Sequence, residues 1–182
     1  MSGDRYKISD QNAVYFVTFT VINWIDVFTR NTYKIEIVNS LNYCIKEKGL
    51  NVHAWCLMSN HIHLIVSARE GFRLSDIIRD FKKFTAKRII KMMESEPESR
   101  RDWMLQQFIF AGSKLKRIKK YKFWKDDNHA IELSSKMMEG RINYVHQNPV
   151  ESLIVGNAKD YLYSSARDYS DGNGFVIISF LS

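Results

Sequence analysis

The feature that most constrains the fold is a pair of strand-sized apolar runs joined by only two residues. The runs are "LNVHAWCLM" (50–58) and "HIHLIVSA" (61–68), and "SN" (59–60) lies between them. Apolar runs that flank a two-residue turn are typical of a β-hairpin. The sequence therefore predicts two antiparallel strands here, and we expect this hairpin at the centre of a sheet.

The segments around the hairpin complete an α+β pattern. "AVYFVTFTVI" (13–22) alternates like a strand, while 32–49 and 73–93 carry apolar residues at helical spacing. Residues 121–133 are predicted to supply a fourth strand. The order is strand, helix, strand, strand, helix, strand, which predicts a ferredoxin-like βαββαβ sandwich with a central antiparallel sheet.

One more helix is predicted after this unit. It spans 134–149, begins at Ser134 or Ser135, and is expected to end at Pro149, since the residue before a proline disfavours helical geometry. With 182 residues, 45% of them hydrophobic, the chain suits one domain over 1–182. Within it we expect a basic surface excursion at 94–120 and a C-terminal tail at 150–182.

Composition narrows the cellular setting. No apolar run is long enough to span a membrane, and the polar N-terminus carries no signal-peptide core. Cys44 and Cys56 lie in apolar surroundings, which favours buried free thiols in a reducing compartment. These features predict a cytoplasmic protein that does not bind membranes.

The charge of the chain favours a polyanionic partner. The net charge is +7, and most of the excess lies in "RDFKKFTAKRIIK" (79–91) and "KLKRIKKYKFWK" (114–125), where aromatic residues are interleaved. Basic groups contact phosphates and aromatic faces stack on unpaired bases, although the same pattern also fits solvated helices with aromatics in the core. The predicted contacts to nucleic acid are Arg79, Lys82, Lys83, Lys87, Arg88, Lys114, Lys116, Arg117, Lys119, Lys120 and Arg141.

Two histidines stand one residue apart in the second hairpin strand. His61 and His63 must share one face of that strand, because side chains at i and i+2 point the same way. Paired neutral imidazoles are good ligands for first-row metals. A zinc site that adds Cys56 is the competing interpretation, but no second cysteine stands nearby in a zinc-binding spacing.

The last predicted helix carries a second candidate constellation. Arg141, Tyr144 and Asn148 fall along one stripe, beside an apolar stripe of Met138, Ile142 and Val145. A tyrosine can act as a covalent nucleophile, an amide oxygen can bind a metal, and an arginine can hold a phosphate oxygen. The alternative is an ordinary helix whose tyrosine packs at the edge of the core.

Taken together, "WCLMSNHIHLIV" followed by "INYVHQNPV" resembles the HUH single-tyrosine transposases, and in particular the REP-associated tyrosine transposases of the IS200-like group. "DYLYSSARDY" (160–169) resembles a further element of that group. The resemblance covers roughly residues 10–170. One departure is "ESLIVGNA" after "NPV", where members of the group often carry an Ala-Gly pair.

The resemblance implies both the reaction and the residues that perform it. His61 and His63 match the metal-binding histidines, Asn148 the third ligand of Mg²⁺ or Mn²⁺, and Tyr144 the nucleophile. The group cleaves single-stranded DNA beside a hairpin through a 5′-phosphotyrosine and later rejoins strands. Cofactors other than the metal are not implied, and both a monomer and a homodimer stay open.

A second function class is compatible with the same residues. The sheet could bind single-stranded nucleic acid without cutting it, as RNA-recognition folds do. The roles of His129 and His146 are left open, although we expect His146 to point away from Tyr144.

Overall fold

The computed structural model describes residues 7–113, 120–170 and 172–181. Within these residues the chain forms four strands and four α-helices. In chain order they are β1 (Tyr15–Thr20), α1 (Asn31–Glu47), β2 (Leu50–Leu57), β3 (His61–Ala68), α2 (Leu74–Ser95), α3 (Arg101–Ser113), β4 (Ile131–Glu132) and α4 (Ser135–Glu151). The α+β class and the predicted element order are confirmed.

The four strands form one antiparallel sheet in the order β2-β3-β1-β4. This is the strand order of the ferredoxin-like unit. The hairpin of β2 and β3 is present, but our expectation that both of its strands are central was wrong. β1 pairs with the free side of β3, so β3 and β1 are central and β2 lies at an edge.

The two faces of the sheet have different coverings. Ile62, Leu64 and Val66 of β3 face the layer formed by α1 and α2, where they meet apolar residues such as Leu41 and Phe81. The opposite face carries His61 and His63 and is crossed by α4. The alternation along β3 therefore assigns one face to the core and leaves the other to the histidines.

Helix α4 begins as predicted but ends later. Ser134 is its N-cap residue, whereas Pro149 lies inside the helix, which continues to Glu151. Because a proline has no N–H, the carbonyl of Val145 receives no helical hydrogen bond from Pro149. Val145 is fully buried, and Met138 and Ile142 pack partly against the core, as the apolar stripe predicts.

The segment expected to be a C-terminal tail is part of the core. The outer edge of β2 bonds to it through Leu57 N–H to Tyr163 O (2.9 Å) and Ser165 N–H to Trp55 O (2.9 Å). Ser164 and Ser165 are fully buried beside β2. The segment satisfies backbone groups that an edge strand would otherwise leave exposed.

The segments around the fourth strand also differ from the prediction. β4 contains only two residues, and Trp124 adds an isolated bridge to Val21. Within the predicted surface excursion, α3 is a 13-residue helix that buries Met104 and Phe108. Three of the interleaved aromatics, Phe81, Phe123 and Trp124, belong to the core, so they are unavailable for stacking on bases.

Cys44 and Cys56 are buried free thiols, as expected from their apolar surroundings. Among the residues that the structure describes, none of the helices has the length and hydrophobicity needed to cross a bilayer.

Candidate active site

His61 and His63 meet at their Nε2 atoms on the face of the sheet that α4 crosses. The two Nε2 atoms are 3.1 Å apart, and the ring centroids are 4.7 Å apart. Thr20 and Thr18 of β1 lie directly opposite them in the register. The strand geometry thus converges two imidazoles on one point, as their i, i+2 spacing predicts.

Each imidazole is oriented through its other nitrogen. His61 Nδ1 lies 2.7 Å from Asn60 Oδ1, and the Asn60 amide nitrogen donates to Asp26 Oδ1 (2.9 Å). Because an amide oxygen can only accept, His61 carries its proton on Nδ1 and presents a lone pair at Nε2. His63 Nδ1 lies 2.8 Å from Thr18 Oγ1, a hydroxyl that can either donate or accept.

The environment keeps both imidazoles neutral. Burial lowers the pKa of His61, and Asp26 opposes this only in part. Burial, followed by the neighbouring His61, lowers the pKa of His63 to about 3. At neutral pH both rings are therefore in the form that binds metals.

Helix α4 brings the predicted tyrosine to this histidine pair. The Tyr144 ring lies 5.5 Å from the His63 ring and 5.9 Å from Phe16, both in edge-on geometry. Tyr144 is 41% exposed, so solvent and a polymer strand can reach its side chain. A nucleophile that must attack a large substrate requires this accessibility.

Asn148 lies one turn after Tyr144 and completes the arrangement. Its amide nitrogen donates to Tyr144 O (2.8 Å), and its side chain lies within hydrogen-bonding reach of the His63 ring. Two imidazole nitrogens and one amide oxygen are therefore together, and this donor set fits Mn²⁺ well and Mg²⁺ acceptably. When bound, a divalent ion would stabilise negative charge on a phosphate and on a leaving oxygen.

The zinc interpretation finds little support in the same region. Cys56 pairs with His63 across the strands, but burial raises the pKa of its thiol to about 12. In the described ranges, no three His, Cys, Asp or Glu side chains are grouped to hold a metal ion.

Arg141 stands at the mouth of the site. Its guanidinium carbon lies 4.7 Å from the Phe16 ring centroid and 5.4 Å from that of Tyr144. The three side chains predicted to share a stripe of the last helix therefore do lie together. A guanidinium held between two aromatic rings can reach a phosphate near the phenol.

The other predicted DNA contacts are more scattered. Lys83, Lys87 and Arg88 stand on α2, on the opposite side of the sheet from the histidines, and Arg88 pairs with Glu36 (3.4 Å). Arg79 pairs with neighbouring aspartates on the same helix, and Lys120 with Glu94. Lys114, Lys116, Arg117 and Lys119 lie outside the described residues. DNA contact by all of these residues stays a prediction.

Lys82 has an intramolecular use. Its ammonium donates to Lys125 O (2.8 Å) and Asn128 Oδ1 (2.6 Å), and burial lowers its pKa to about 8. It therefore fastens α2 to the loop that borders the site.

A cavity of about 370 Å³ opens beside the site, and several of its lining residues were missed by sequence reasoning. Trp24, Lys125 and Asp127 line it together with Tyr144 and the previously unplaced His129. No motif marks the first three, because loops from distant parts of the chain bring them together. A larger apolar cavity, of about 530 Å³, lies between α1 and α2 on the other side of the sheet.

His146 points away from the phenol, as expected. It is buried, and its Nε2 lies 2.8 Å from Ser165 Oγ. Burial lowers its pKa to about 4, so this ring is a neutral structural group beside β2.

The fold and the site together define a class of α+β protein in which paired histidines on a central strand meet a tyrosine from a helix. A family model described as "Transposase IS200 like" matches residues 9–121, and the chain belongs to this family. The match includes His61 and His63 but ends before α4. Membership supports a transposase function, which is that of a DNA-cleaving enzyme.

One solved structure shares the fold of this chain. A REP-associated tyrosine transposase bound to a REP hairpin matches with a TM-score of 0.63 at 18% identity, over 100% of this chain and 94% of that one. A candidate transposase from Deinococcus radiodurans R1 matches with a TM-score of 0.46 at 14% identity, over 80% of this chain and 95% of that one. No curated protein sequence matches this chain.

Proposed function

We propose that the protein cleaves and rejoins single-stranded DNA beside a hairpin, through a covalent bond between Tyr144 and the 5′ end. The observation that carries the proposal is the meeting of Tyr144 with His63, at a ring distance of 5.5 Å, across elements 81 residues apart in the sequence. The family match ends before α4, so this geometry supports the tyrosine independently of the family.

In the proposed reaction the Tyr144 oxygen attacks the scissile phosphorus. The new bond joins this oxygen to phosphorus, and the bond from phosphorus to the 3′ oxygen breaks. The proton lost from the phenol is balanced by the proton that the released 3′ oxygen takes up. The reverse attack by a 3′ hydroxyl rejoins a strand, so the phosphodiester bond energy is kept without a nucleotide cofactor.

Each neighbouring residue has a part in this reaction. His61, His63 and Asn148 would hold a divalent ion against the phosphate, and the same Asn148 amide fixes the helix turn that carries the phenol. Arg141, between Phe16 and Tyr144, would contact a phosphate oxygen. The net charge of +7 would attract the DNA strand and the stem of a hairpin.

A covalent-trapping assay tests the proposal. The protein is incubated with Mn²⁺ and labelled single-stranded oligonucleotides that carry the hairpins flanking its own gene, and is then run on a denaturing gel. We expect a labelled, slower protein band that disappears in Tyr144→Phe and on chelation of the metal, because the phenol oxygen and the ion are both needed.

Tyr43→Phe is the matched control, since this exposed tyrosine lies on α1, away from the site. It should form the adduct as the wild type does. An adduct that persists in Tyr144→Phe would contradict the proposal. Binding of the hairpins with no adduct in any condition would instead favour a nucleic-acid-binding protein without cleavage activity.

A further inference from the structure

An exposed tryptophan, Trp24, lies next to His61, on the side of the histidine pair opposite Tyr144. Trp24 is 57% exposed, and its ring lies 6.1 Å from that of His61 in edge-on geometry. The Lys125 ammonium lies 4.1 Å from the indole centroid. Trp24 and Lys125 line the same cavity as Tyr144.

The exposed Trp24 has a left-handed backbone conformation that is unfavourable for a bulky residue. Asn23 and Trp24 have φ values of 55° and 56°, in the left-handed region that a bulky side chain rarely adopts. The neighbouring Val21 and Ile25 are buried in the core. The left-handed turn between them therefore directs the indole away from the core.

Three contacts fasten this turn to distant parts of the chain. Ile22 N–H donates to Phe123 O (2.8 Å), and the Asn23 side chain donates to Gln107 Oε1 (3.1 Å). Asn60, which also orients His61, donates to Trp24 O (3.3 Å). A strained residue persists only where its surroundings determine it, and such residues cluster at ligand-binding positions.

The chemistry of this pair selects a nucleobase with its phosphate. The Lys125 ammonium covers one face of the exposed indole, so a nucleobase can stack on the other face, and the ammonium can contact a phosphate of the same strand. Asp127 also lines the cavity, but Lys125, Arg141 and His129 surround the space with donors. A volume of about 370 Å³ lies within the range of small-ligand sites.

We infer that Trp24 and Lys125 form a stacking subsite for one unpaired base of the DNA strand that runs past Tyr144. The inference rests on the proposed function, because it takes the strand at Tyr144 as its ligand. The histidine pair separates Trp24 from the phenol. The stacked base is therefore close to the attacked phosphate but is not part of it.

Equilibrium binding, without cleavage, tests the subsite. Hairpin oligonucleotides with a single-stranded flank are titrated against Tyr144→Phe protein in a chelator, and a single abasic residue is moved along the flank. In this background the key variant is Trp24→Asn, which removes the ring and suits a left-handed backbone. Trp24→Phe keeps a ring, and Trp103→Asn on α3 removes an exposed tryptophan elsewhere.

We expect Trp24→Asn to weaken binding of the intact strand by about tenfold or more, as loss of base stacking does, and Trp24→Phe to retain most of the affinity. In protein that keeps Trp24, an abasic residue at one position should weaken binding by the same factor as Trp24→Asn does. At that position it should have little further effect on the Trp24→Asn variant. Trp103→Asn should bind normally. Lys125→Met should weaken binding of every strand. It should also reduce the slope of log affinity against log salt concentration by about one.

Unchanged affinity in Trp24→Asn, or losses that simply add at every abasic position, would overturn the inference. Failure of every hairpin strand to bind would also overturn it. This result can be distinguished from that of the trapping assay. If the losses from Trp24→Asn and from one abasic position do not add, and no covalent adduct forms, the subsite belongs to a binding protein without cleavage activity. An adduct without coupled losses would remove the subsite and leave the proposed reaction intact.

Discussion

The hydroxyl of Thr18 determines which nitrogen of His63 carries the proton. If Thr18 accepts from Nδ1, as its 2.8 Å contact allows, the lone pairs of both Nε2 atoms converge on one point. If it donates, His63 can instead donate through Nε2 to His61. A hydroxyl that can rotate between these roles permits a neutral hydrogen-bonded pair and also a metal-binding pair.

Thr18→Val is expected to weaken Mn²⁺ binding by about tenfold to a hundredfold, which is typical when a residue that orients a histidine ligand is lost. Valine has nearly the same shape and suits a strand, so the fold should be kept. The affinity is measured by Mn²⁺ titration, and the tautomers of His61 and His63 by their ring ¹⁵N shifts.

Thr20→Val is the matched control. Thr20 lies on β1 like Thr18, faces His61 on β3 and lines the same cavity. The structure assigns its hydroxyl no part in orienting the imidazoles. Equal losses in both variants, or unchanged Mn²⁺ binding in Thr18→Val, would contradict the role of Thr18.

The sequence predicts the histidines well and Trp24 not at all, for a physical reason. The direction of His61 and His63 follows from the alternation of a strand, which is a local property. The exposure of Trp24 depends on a left-handed turn that is fastened to Phe123 and Gln107, about a hundred residues away along the chain. Its neighbours in sequence give no sign of this turn.

At the scale of elements, the segment 160–169 completes β2. Ser165 Oγ accepts from Trp55 N–H (2.9 Å) and lies 2.8 Å from His146 Nε2 on α4. One hydroxyl therefore joins the edge strand, the C-terminal segment and the helix that carries Tyr144. The prediction of a tail failed here because "DYLYSSARDY" shows neither strand alternation nor helical spacing.

Ser165→Ala should lower the free energy of unfolding by about 2 kcal/mol, because it leaves the buried Trp55 N–H and His146 without a partner. Urea denaturation measures the loss. Ser99→Ala, at an exposed position, should change stability little. Equal midpoints for the two variants would show that the buried hydroxyl contributes nothing to stability.

The order of elements along the chain and the approximate boundaries of α1 and α2 follow from the sequence, whereas the edge position of β2 and the lengths of β4 and α4 do not. β4 shrinks to Ile131–Glu132 because Lys82 and Trp124 anchor the preceding loop by a side-chain contact and an isolated bridge. α4 passes Pro149 because tertiary packing buries that turn. Both outcomes depend on contacts between distant residues.

At the scale of the whole molecule, four histidines make the fold sensitive to acid. Burial lowers the pKa of His53, His61, His63 and His146 below 6.5, to about 3 for His63 and about 4 for His146. Below pH 6.5 the unfolded chain takes up protons that the folded chain refuses. The contribution of these histidines to the free energy of unfolding is therefore fully present above pH 6.5 and is lost as the pH is lowered toward 3.

The expected loss between pH 6.5 and 4 is on the order of a few kcal/mol, since each unit of pKa difference corresponds to about 1.4 kcal/mol. Urea denaturation in chelator at a series of pH values measures it. His146→Gln should flatten the dependence, because it removes one of these buried imidazoles. A wild-type stability that stays constant over this range would contradict the account.

The central claim is that Tyr144 forms the bond to DNA, and peptide mapping of the trapped adduct tests it most directly. Trypsin cleavage after Arg141 and Lys159 releases residues 142–159, in which Tyr144 is the only tyrosine. We predict that this peptide carries the 5′ end of the cleaved strand as a phosphotyrosine. A nucleotide on any other peptide, or a cleaved strand that ends in a free 5′ phosphate, would contradict it.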